Sequence, residues 1–499
     1  MTSSSGSTVP AVTRSIAAWI AETQFDDLPE RVVRETARIL LDSIGCAVAG
    51  HTTDKGRIVV DTVRTLGGSP ESTVLGAGFR TSCTNAAFAN AELVNAIDFD
   101  AVFLNISHIV PPIVPATLAV AEREAASGRE LLTAAALGLE LGGRLTMALL
   151  PVAASPSGAM VVDPVWGYGF AVLGAAAAAA RILRLPADGV AHALGIAAYC
   201  APPPGLLKWT RTQPMSMIKY SPMGWTAQAG VNAALLAAHG FTGDTTVLDG
   251  PQGFWQFWGA PQCRWGYLSD GWGSRWYSVE CLSFKAYPMC NLYRPHLWLL
   301  DRLMRAEGLE AEDLEEISFR TAAVAAADRP YRGEEELSEI SVHNSAEHGA
   351  AMVAFRVPPG PKWALASSRT NPTVRAFGRR VRVVGNPSSA ETAYRPETGA
   401  VDLERLQDAG AWVTVRARGK TWVLQTPVAK GDGWAPADAQ MSDQDLAAKF
   451  RENCSGRLAF SDVEAMIDLL LRRLAEIADI RALSTHLTGN PQGPEARTC

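Results

Sequence analysis

Between residues 27 and 50 the apolar side chains Val32, Val33, Ile39, Leu40 and Ile44 return at three- and four-residue intervals. That period predicts an amphipathic helix. Asp27 is its expected N-cap, with Glu30 three residues later, Pro29 in the first turn and Gly50 as the stop. The stretches "ELLTAAALGLELGGRLTMALL" (130–150), "GAAAAAARILRL" (174–185) and "MGWTAQAGVNAALLAAHGFTG" (223–243) also read as helices. Their alanines and glycines suggest burial on several sides, since small side chains let helix axes approach closely.

The pattern changes after residue 251. "FWQFWGAPQCRWGYLSDGWGSRWYS" (254–278) places five of the chain's fourteen tryptophans among glycines, as in an irregular connector. Strand-like runs follow in "EEISFRTA", "RRVRVVGNP" and "AWVTVRARGKTWVLQTP", the last folding back around Arg418-Gly419-Lys420 as a hairpin. "MSDQDLAAKFRENC" and "SDVEAMIDLLLRRLAEIADI" return to the helical period, with capping boxes expected at Ser442…Asp445 and Ser461…Glu464. The expected architecture is mainly α with a smaller α+β lid domain. A large helical domain covers 1–272, the α+β lid covers 273–436, and C-terminal helices at 437–499 return to the helical domain.

Composition narrows the functional classes. A hydrophobic content of 47% and a charged content of 19% suit an ordinary folded chain. The net charge of −6 argues against nucleic acid as the main partner, because phosphate recognition needs a basic face. The eight cysteines, Cys46, Cys83, Cys200, Cys263, Cys281, Cys290, Cys454 and Cys499, are scattered without a Cys-x-x-Cys pair. Zinc, iron–sulfur and disulfide frameworks are therefore not expected, and no metal site is assigned. "MTSSSGSTVPAVTRS" lacks the pattern of a signal peptide, and "FAVLGAAAAAA" is too short to span a bilayer. A cytoplasmic protein that does not bind membranes is expected.

Three segments carry possible chemistry. "AIDFDAVFLNISHIVPPIVPA" (96–116) sets Asp98 and Asp100 ahead of His108. A carboxylate can hold a histidine in one tautomer and poise it for acid–base work; the alternative is a capping aspartate and a hydrogen-bonded core histidine. "MSMIKYSPMGWTAQAG" brings Lys219, able to bind a carboxylate or phosphate, unless it is a solvated helix-end lysine. "SFKAYPMCNLYRPH" (283–296) offers Lys285, Tyr287 and Arg294 near the domain junction, where clefts form. The glycines of "GYGFAVLGAA" do not fit the dinucleotide fingerprint, so nicotinamide and flavin are not expected.

Six segments in this order, "LLDSIGCAVAG", "IDFD…H…VPATLAVAE", "GAAAAAARILRL", "GFTG…VLDGPQGF", "SFKAYPMC" and "MSDQDLAAKF", resemble the MmgE/PrpD family. That family includes 2-methylcitrate dehydratase, cis-aconitate decarboxylase and iminodisuccinate epimerase. The resemblance implies a homodimer with its site between a helical domain and a lid. It also implies small carboxylic acids as substrates and chemistry without a cofactor. Asp98, His108, Lys219 and Lys285 fall on positions matching the family's functional ones.

This chain departs from the family pattern at several polar positions. Ala101 and Val102 stand where an acidic and a hydroxyl residue are usual. Val165 or Trp166 and Pro222 stand where histidines are frequent, and Arg294 replaces a further histidine. A drier pocket follows, with Arg294, Tyr287 and Trp166 as expected substrate contacts and the nearby tryptophans as a possible apolar wall. The reading that results is a lyase in a specialised biosynthetic pathway, eliminating water or phosphate from a small acid. Lys219 and Lys285 would steady the enolate-like charge and His108, oriented by Asp98, would move the proton. Decarboxylation or epimerisation begins from the same carbanion, and a non-catalytic ligand-binding homologue is the alternative of another class.

Overall fold

Gly138 and Gly174 let two helices of the first core approach closely. A Cβ on Gly138 would lie 2.7 Å from the Gly174 carbonyl oxygen, and one on Gly174 would lie 2.6 Å from that of Gly138. The helices Gly128–Leu149 and Ala171–Ile182 therefore touch backbone to backbone, which no larger residue permits. This computed structural model describes residues 11–104, 106–150, 152–154, 160–162, 165–322, 337–386, 394–395, 400–401 and 410–487. Cys499 lies outside them. The chain is mainly α, with a smaller α+β part.

Helices Glu30–Gly50, Cys83–Asn95, Val110–Arg123 and Met223–Ala238 pack around that central pair. Leu446, Phe450, Met466 and Leu470 from the C-terminal helices join the same hydrophobic core. Asp27 is not the cap of the first long helix. Its Oδ2 accepts the Gln24 N–H at 2.7 Å, closing a 3₁₀ turn over Phe25–Asp27. Leu28, ahead of Pro29, is extended at ψ 129°, and Pro29 itself is extended at ψ 141°, so the helix begins at Glu30.

The capping box at Ser442 forms. Its Oγ accepts the Asp445 N–H at 3.1 Å, and Asp445 Oδ2 accepts the Ser442 N–H at 2.8 Å. The one expected at Ser461 does not. The helix starts at Phe460, and both Glu464 carboxylate oxygens are taken by Arg451, at 2.5 and 2.8 Å.

The tryptophan-rich connector folds as the short helices Phe254–Trp258, Gly266–Ser269 and Tyr277–Glu280. Arg144, fully buried, latches it by donating to the carbonyls of Tyr267, Asp270, Gly271 and Arg275, while Glu140 accepts from Arg144 Nε at 2.6 Å. Trp272 and Trp276 pack on Trp19 with ring centroids 4.6 and 5.6 Å away. Trp258 packs against Phe170 and Phe254. These rings dock the connector onto the helices.

A second core begins at Tyr287 and runs to Ala439. It joins helices Arg294–Glu307 and Ala346–Ala354 to a four-stranded sheet ordered Lys420–Thr426, Ala411–Ala417, Leu314–Ala322, Val381–Asn386. The first three strands are antiparallel neighbours and the last pair is parallel. Val413 and Val415 oppose Phe319 and Ile317, so one face of the sheet is apolar and buried. Arg418 and Gly419 form the two-residue hairpin turn with φ of 49° and 69°, the backbone a twisted hairpin favours. Phe284 still belongs to the first core, so the chain passes from one core to the other across Lys285 and Ala286.

Candidate active site

The helix Cys83–Asn95 ends in a turn that places Asp98 in the left-handed region at φ 54°. Aspartate tolerates that region better than most residues. The reversal aims the Asp98 carboxylate inward and leaves Asp100 on the next bend. Val102–Phe103 then pairs as a short antiparallel strand with Leu282–Ser283, which brings Lys285 alongside Asp98. Val102 and Ala101, the apolar departures from the family pattern, are spent on this pairing and its burial.

From another direction Lys219 and Tyr220 arrive with consecutive positive φ values of 37° and 60°. Such backbone costs roughly 1–3 kcal/mol per residue and persists where the surroundings impose it. Pro222 directly follows as the N-cap position of the helix Met223–Ala238.

Asp98, Asp100, His108, Lys219 and Lys285 converge here, joined by the Tyr220 hydroxyl. Lys285 Nζ donates to Asp98 Oδ1 at 2.8 Å and to the Asp98 carbonyl at 3.0 Å. Lys219 Nζ lies 3.5 Å from the same Oδ1 and donates to the Asn95 carbonyl at 2.5 Å. Tyr220 donates its hydroxyl to Asp98 Oδ2 at 3.0 Å. His108 Nδ1 is 2.7 Å from Asp100 Oδ2, while its Nε2 is 3.8 Å from Asp98 Oδ1. Asn95 Nδ2 donates to Asp100 Oδ1 at 3.0 Å. The His108 ring stacks on Tyr220 at 4.7 Å, with the Tyr168 ring at 5.7 Å. Asp98, Asp100, Lys219 and Lys285 have 0% of their surface exposed.

The carboxylate that orients His108 is Asp100. Asp98, to which the sequence reading gave that role, is instead the common counter-ion of both lysines. A carboxylate only accepts, so Nδ1 carries the hydrogen toward Asp100 and Nε2 is left as the working nitrogen.

Burial would raise the Asp98 pKa, but Lys219, Lys285 and His108 outweigh it and hold the carboxyl well below its usual range. Burial is likewise outweighed at Asp100, chiefly by His108. Lys219 is lowered to about 8, by burial first, against the pull of Asp98 and Asp100. Burial and the Asp98 charge push the Tyr220 hydroxyl well up, so it stays a hydrogen-bond donor.

Asp98, Asp100 and His108 offer three ligand atoms within 4.8 Å of one another, a spacing a metal ion could use. The oxygens of the two carboxylates already accept from Lys285, Tyr220, Asn95 and the imidazole N–H. The two ammonium groups supply the counter-charge a cation would bring.

The other expected substrate contacts lie apart from this group. Tyr287 is buried in the second core, its ring 6.0 Å from that of Trp363. Arg294 opens the helix Arg294–Glu307 and donates through Nη2 to Asp432 Oδ1 at 3.1 Å and to the carbonyls of Phe284 and Lys430. That guanidinium is buried and ties Phe284 of the first core to the segment carrying Lys430 and Asp432. Trp166 is half-buried and borders a small cavity with Ser107, Thr146, Tyr168, Phe170 and Trp258, next to His108 in sequence and through Tyr168 in space. A larger cleft of about 660 Å³, bounded by Arg31, Arg34, Phe284, Gln440 and Ser442, includes none of the five convergent side chains.

Sequence reasoning missed Asn95, Tyr220 and Tyr168, whose roles depend on the turns at 96–100 and 217–222. It also missed Lys449 on the helix Asp443–Cys454. Lys449 Nζ donates to the carbonyls of Phe99 at 2.7 Å and Lys285 at 2.9 Å, and pairs with buried Asp42 at 2.7 Å. The one sequence signal was a lone lysine on the apolar face of "MSDQDLAAKF".

Fold and site together define a helical protein with a buried carboxylate, imidazole and ammonium group beside a second, sheet-containing core. The MmgE/PrpD N-terminal domain matches residues 14–263, and the chain belongs to the MmgE/PrpD family. It is 27% identical to the cis-aconitate decarboxylase of Homo sapiens, covering 97% of this chain and 96% of that protein. The cis-aconitate decarboxylase of Mus musculus is also 27% identical, over 97% and 95% of the two chains. That of Aspergillus terreus matches at 27% identity over 59% of this chain and 60% of its own. No helix among the described residues is long and apolar enough to cross a membrane.

Proposed function

We propose that this protein is a lyase that removes a carboxyl group from a small unsaturated polycarboxylic acid, using its own side chains. The observation that carries this is the convergence of Asp98, Asp100, His108, Lys219 and Lys285 in one buried group. Elimination of water or phosphate, the reaction expected from the sequence, uses the same groups. Cleavage of a carbon–carbon bond is preferred because the relatives that match almost the whole chain are named decarboxylases. Arg294, the cation that could have assisted a departing phosphate, is paired with Asp432.

In this reading the acid's carboxylates displace Asp98 from part of its hold on Lys219 and Lys285. The bond to one carboxyl breaks, carbon dioxide leaves, and the electron pair spreads into the adjacent unsaturated acid. The two ammonium groups steady that charge, and burial strengthens each interaction. His108, fixed by Asp100, delivers a proton from Nε2 to the carbanion carbon. Lys219, with its pKa near neutrality, can return a proton to the imidazole.

Incubation with cis-aconitate in deuterated water tests the reading. Loss of carbon dioxide with one deuterium in the product is expected. Addition of water without loss of carbon dioxide, the elimination run in reverse, restores the elimination reading, deuterium exchange with no other mass change indicates isomerisation, and no reaction with any related acid removes the assignment.

A further inference from the structure

His343 comes to the site from the turn between Ile340 of the first core and the second-core helix Ala346–Ala354. It lies in the turn Ser341–Asn344 and is 1% exposed. Its Nδ1 is 2.8 Å from the Pro288 carbonyl, which can only accept, so Nδ1 carries the hydrogen. Nε2 is then a lone pair, and it is buried without a hydrogen-bond partner. A buried acceptor with nothing to accept calls for an explanation. His296 also has an unpartnered nitrogen, Nδ1, but its Nε2 is anchored on the Arg320 carbonyl, as that of His348 is on the Trp363 carbonyl; in His343 it is Nε2 that is open.

The surroundings of His343 belong to the site. Its carbonyl accepts the Cys290 N–H at 2.7 Å, and the Cys290 thiol is a partner of Tyr220. The adjacent Asn344 amide is 4.0 Å from Met215 Sδ, on the segment leading to Lys219. Burial and the charges of Lys219 and Lys285 hold the ring neutral, lowering its pKa to about 3, while Asp98 pulls the other way.

A carboxylate and a neutral Nε2 are both acceptors and cannot pair without a proton. We propose that His343 Nε2 is a carboxyl-binding position that takes a proton from solvent as the acid binds and donates it as a hydrogen bond to a carboxylate oxygen. The proposal rests on the reading of the site as one for a polycarboxylic acid. The arriving negative charge reverses the balance that Lys219 and Lys285 impose on the empty site. The N–H then formed donates to the acid, and the proton returns to solvent when product leaves. The turn that carries His343 thereby reports whether the site is filled.

The test uses tricarballylate, a saturated tricarboxylate without the double bond of cis-aconitate, as a probe that binds without reacting. Titration calorimetry in buffers of different ionisation enthalpy at neutral pH reads both affinity and protons taken up. The wild-type protein is expected to take up most of one proton more than His343→Gln, which keeps a polar side chain and cannot titrate. His343→Phe, which keeps a ring and removes the nitrogen, is expected to bind about tenfold or more weakly. Thermal melts show that each variant is folded, and His343→Gln decides the matter where His343→Phe does not fold. Equal proton uptake and equal affinity in wild type and folded variants would overturn the role of His343 alone. Failure of the wild type to bind either tricarballylate or cis-aconitate would overturn the polycarboxylate reading, and this inference with it.

Discussion

Lys449 donates to the backbone carbonyl of Lys285 at 2.9 Å, from a helix 164 residues further along the chain. The same ammonium holds the Phe99 carbonyl, next to Asp98, and sits 3.8 Å over the Phe99 ring. One buried cation thus sets the spacing of the two backbone segments that carry Asp98 and Lys285.

Lys449→Met strands the Asp42 carboxylate, whose pKa burial already raises against the pull of Lys449. A stability loss of about 3–5 kcal/mol is expected by chemical denaturation. Adding Asp42→Asn should restore part of it, and turnover should stay low in the double variant because the Phe99 and Lys285 carbonyls are still unheld. Full recovery of activity would show that Lys449 only balances charge.

Asp100 and Asp98 should separate in their effects. Asp100→Asn removes the acceptor that fixes the His108 tautomer, so kcat should fall by about 10²–10⁴ with a small change in KM. Asp98→Asn frees both lysines from their counter-ion, so KM for the acid should fall or hold while kcat drops. Steady-state kinetics of the two variants, side by side, checks this.

His108→Gln should fold as well as wild type and lose turnover by about 10²–10⁴. Binding of tricarballylate should survive it. Loss of binding with no separate effect on turnover would move His108 from proton transfer to substrate positioning.

Acid should unfold the protein well above the range in which its carboxylates protonate. Burial first, with nearby cations at His51, His343 and His348, lowers His51, His296 and His348 to about 4 and His343 to about 3. The unfolded chain therefore binds more protons between the usual histidine pKa of about 6.5 and those values, so stability falls as pH falls through that window. Each histidine contributes about 1.4 kcal/mol per pH unit there. Asp98 and Asp100 act oppositely in position: their stabilisation is complete above their ordinary pKa and is lost only below it. Denaturation midpoints between pH 7 and 4 read the histidine slope directly.

Arg294→Met should weaken the protein and spare the acid's affinity. The change leaves Asp432 buried without its partner at 3.1 Å, a loss of about 3–5 kcal/mol. A specific loss of substrate affinity in a folded variant would return Arg294 to the site.

Much of this was legible along the chain because helical period and alternation are local properties. The hairpin turn at Arg418-Gly419 and the cap at Ser442 follow from neighbouring residues alone. The cap at Ser461 failed because a distant Arg451 claimed Glu464. The convergence of Asp98, His108, Lys219 and Lys285 was legible through family resemblance, whereas their pairing was not. Which aspartate touches His108 depends on a left-handed turn at Asp98 that periodicity does not encode. The places of Arg294 at the seam and of Tyr287 in the second core were not legible, because a charged or phenolic side chain near a junction looks the same in sequence whether it faces a ligand or buttresses the seam.

Two consecutive residues, Lys285 and Ala286, bridge the two cores, with Phe284 rooted in one and Tyr287 in the other. The chain crosses back between the cores at Gln440. At the first crossing the ammonium of Lys285 is held against the Asp98 carboxylate, which belongs to the larger core's side. The smaller body is for that reason not an exchangeable cassette. Grafting one from a relative would replace the mount of a working lysine along with the walls around it, and any retuned specificity would arrive with an altered charge spacing.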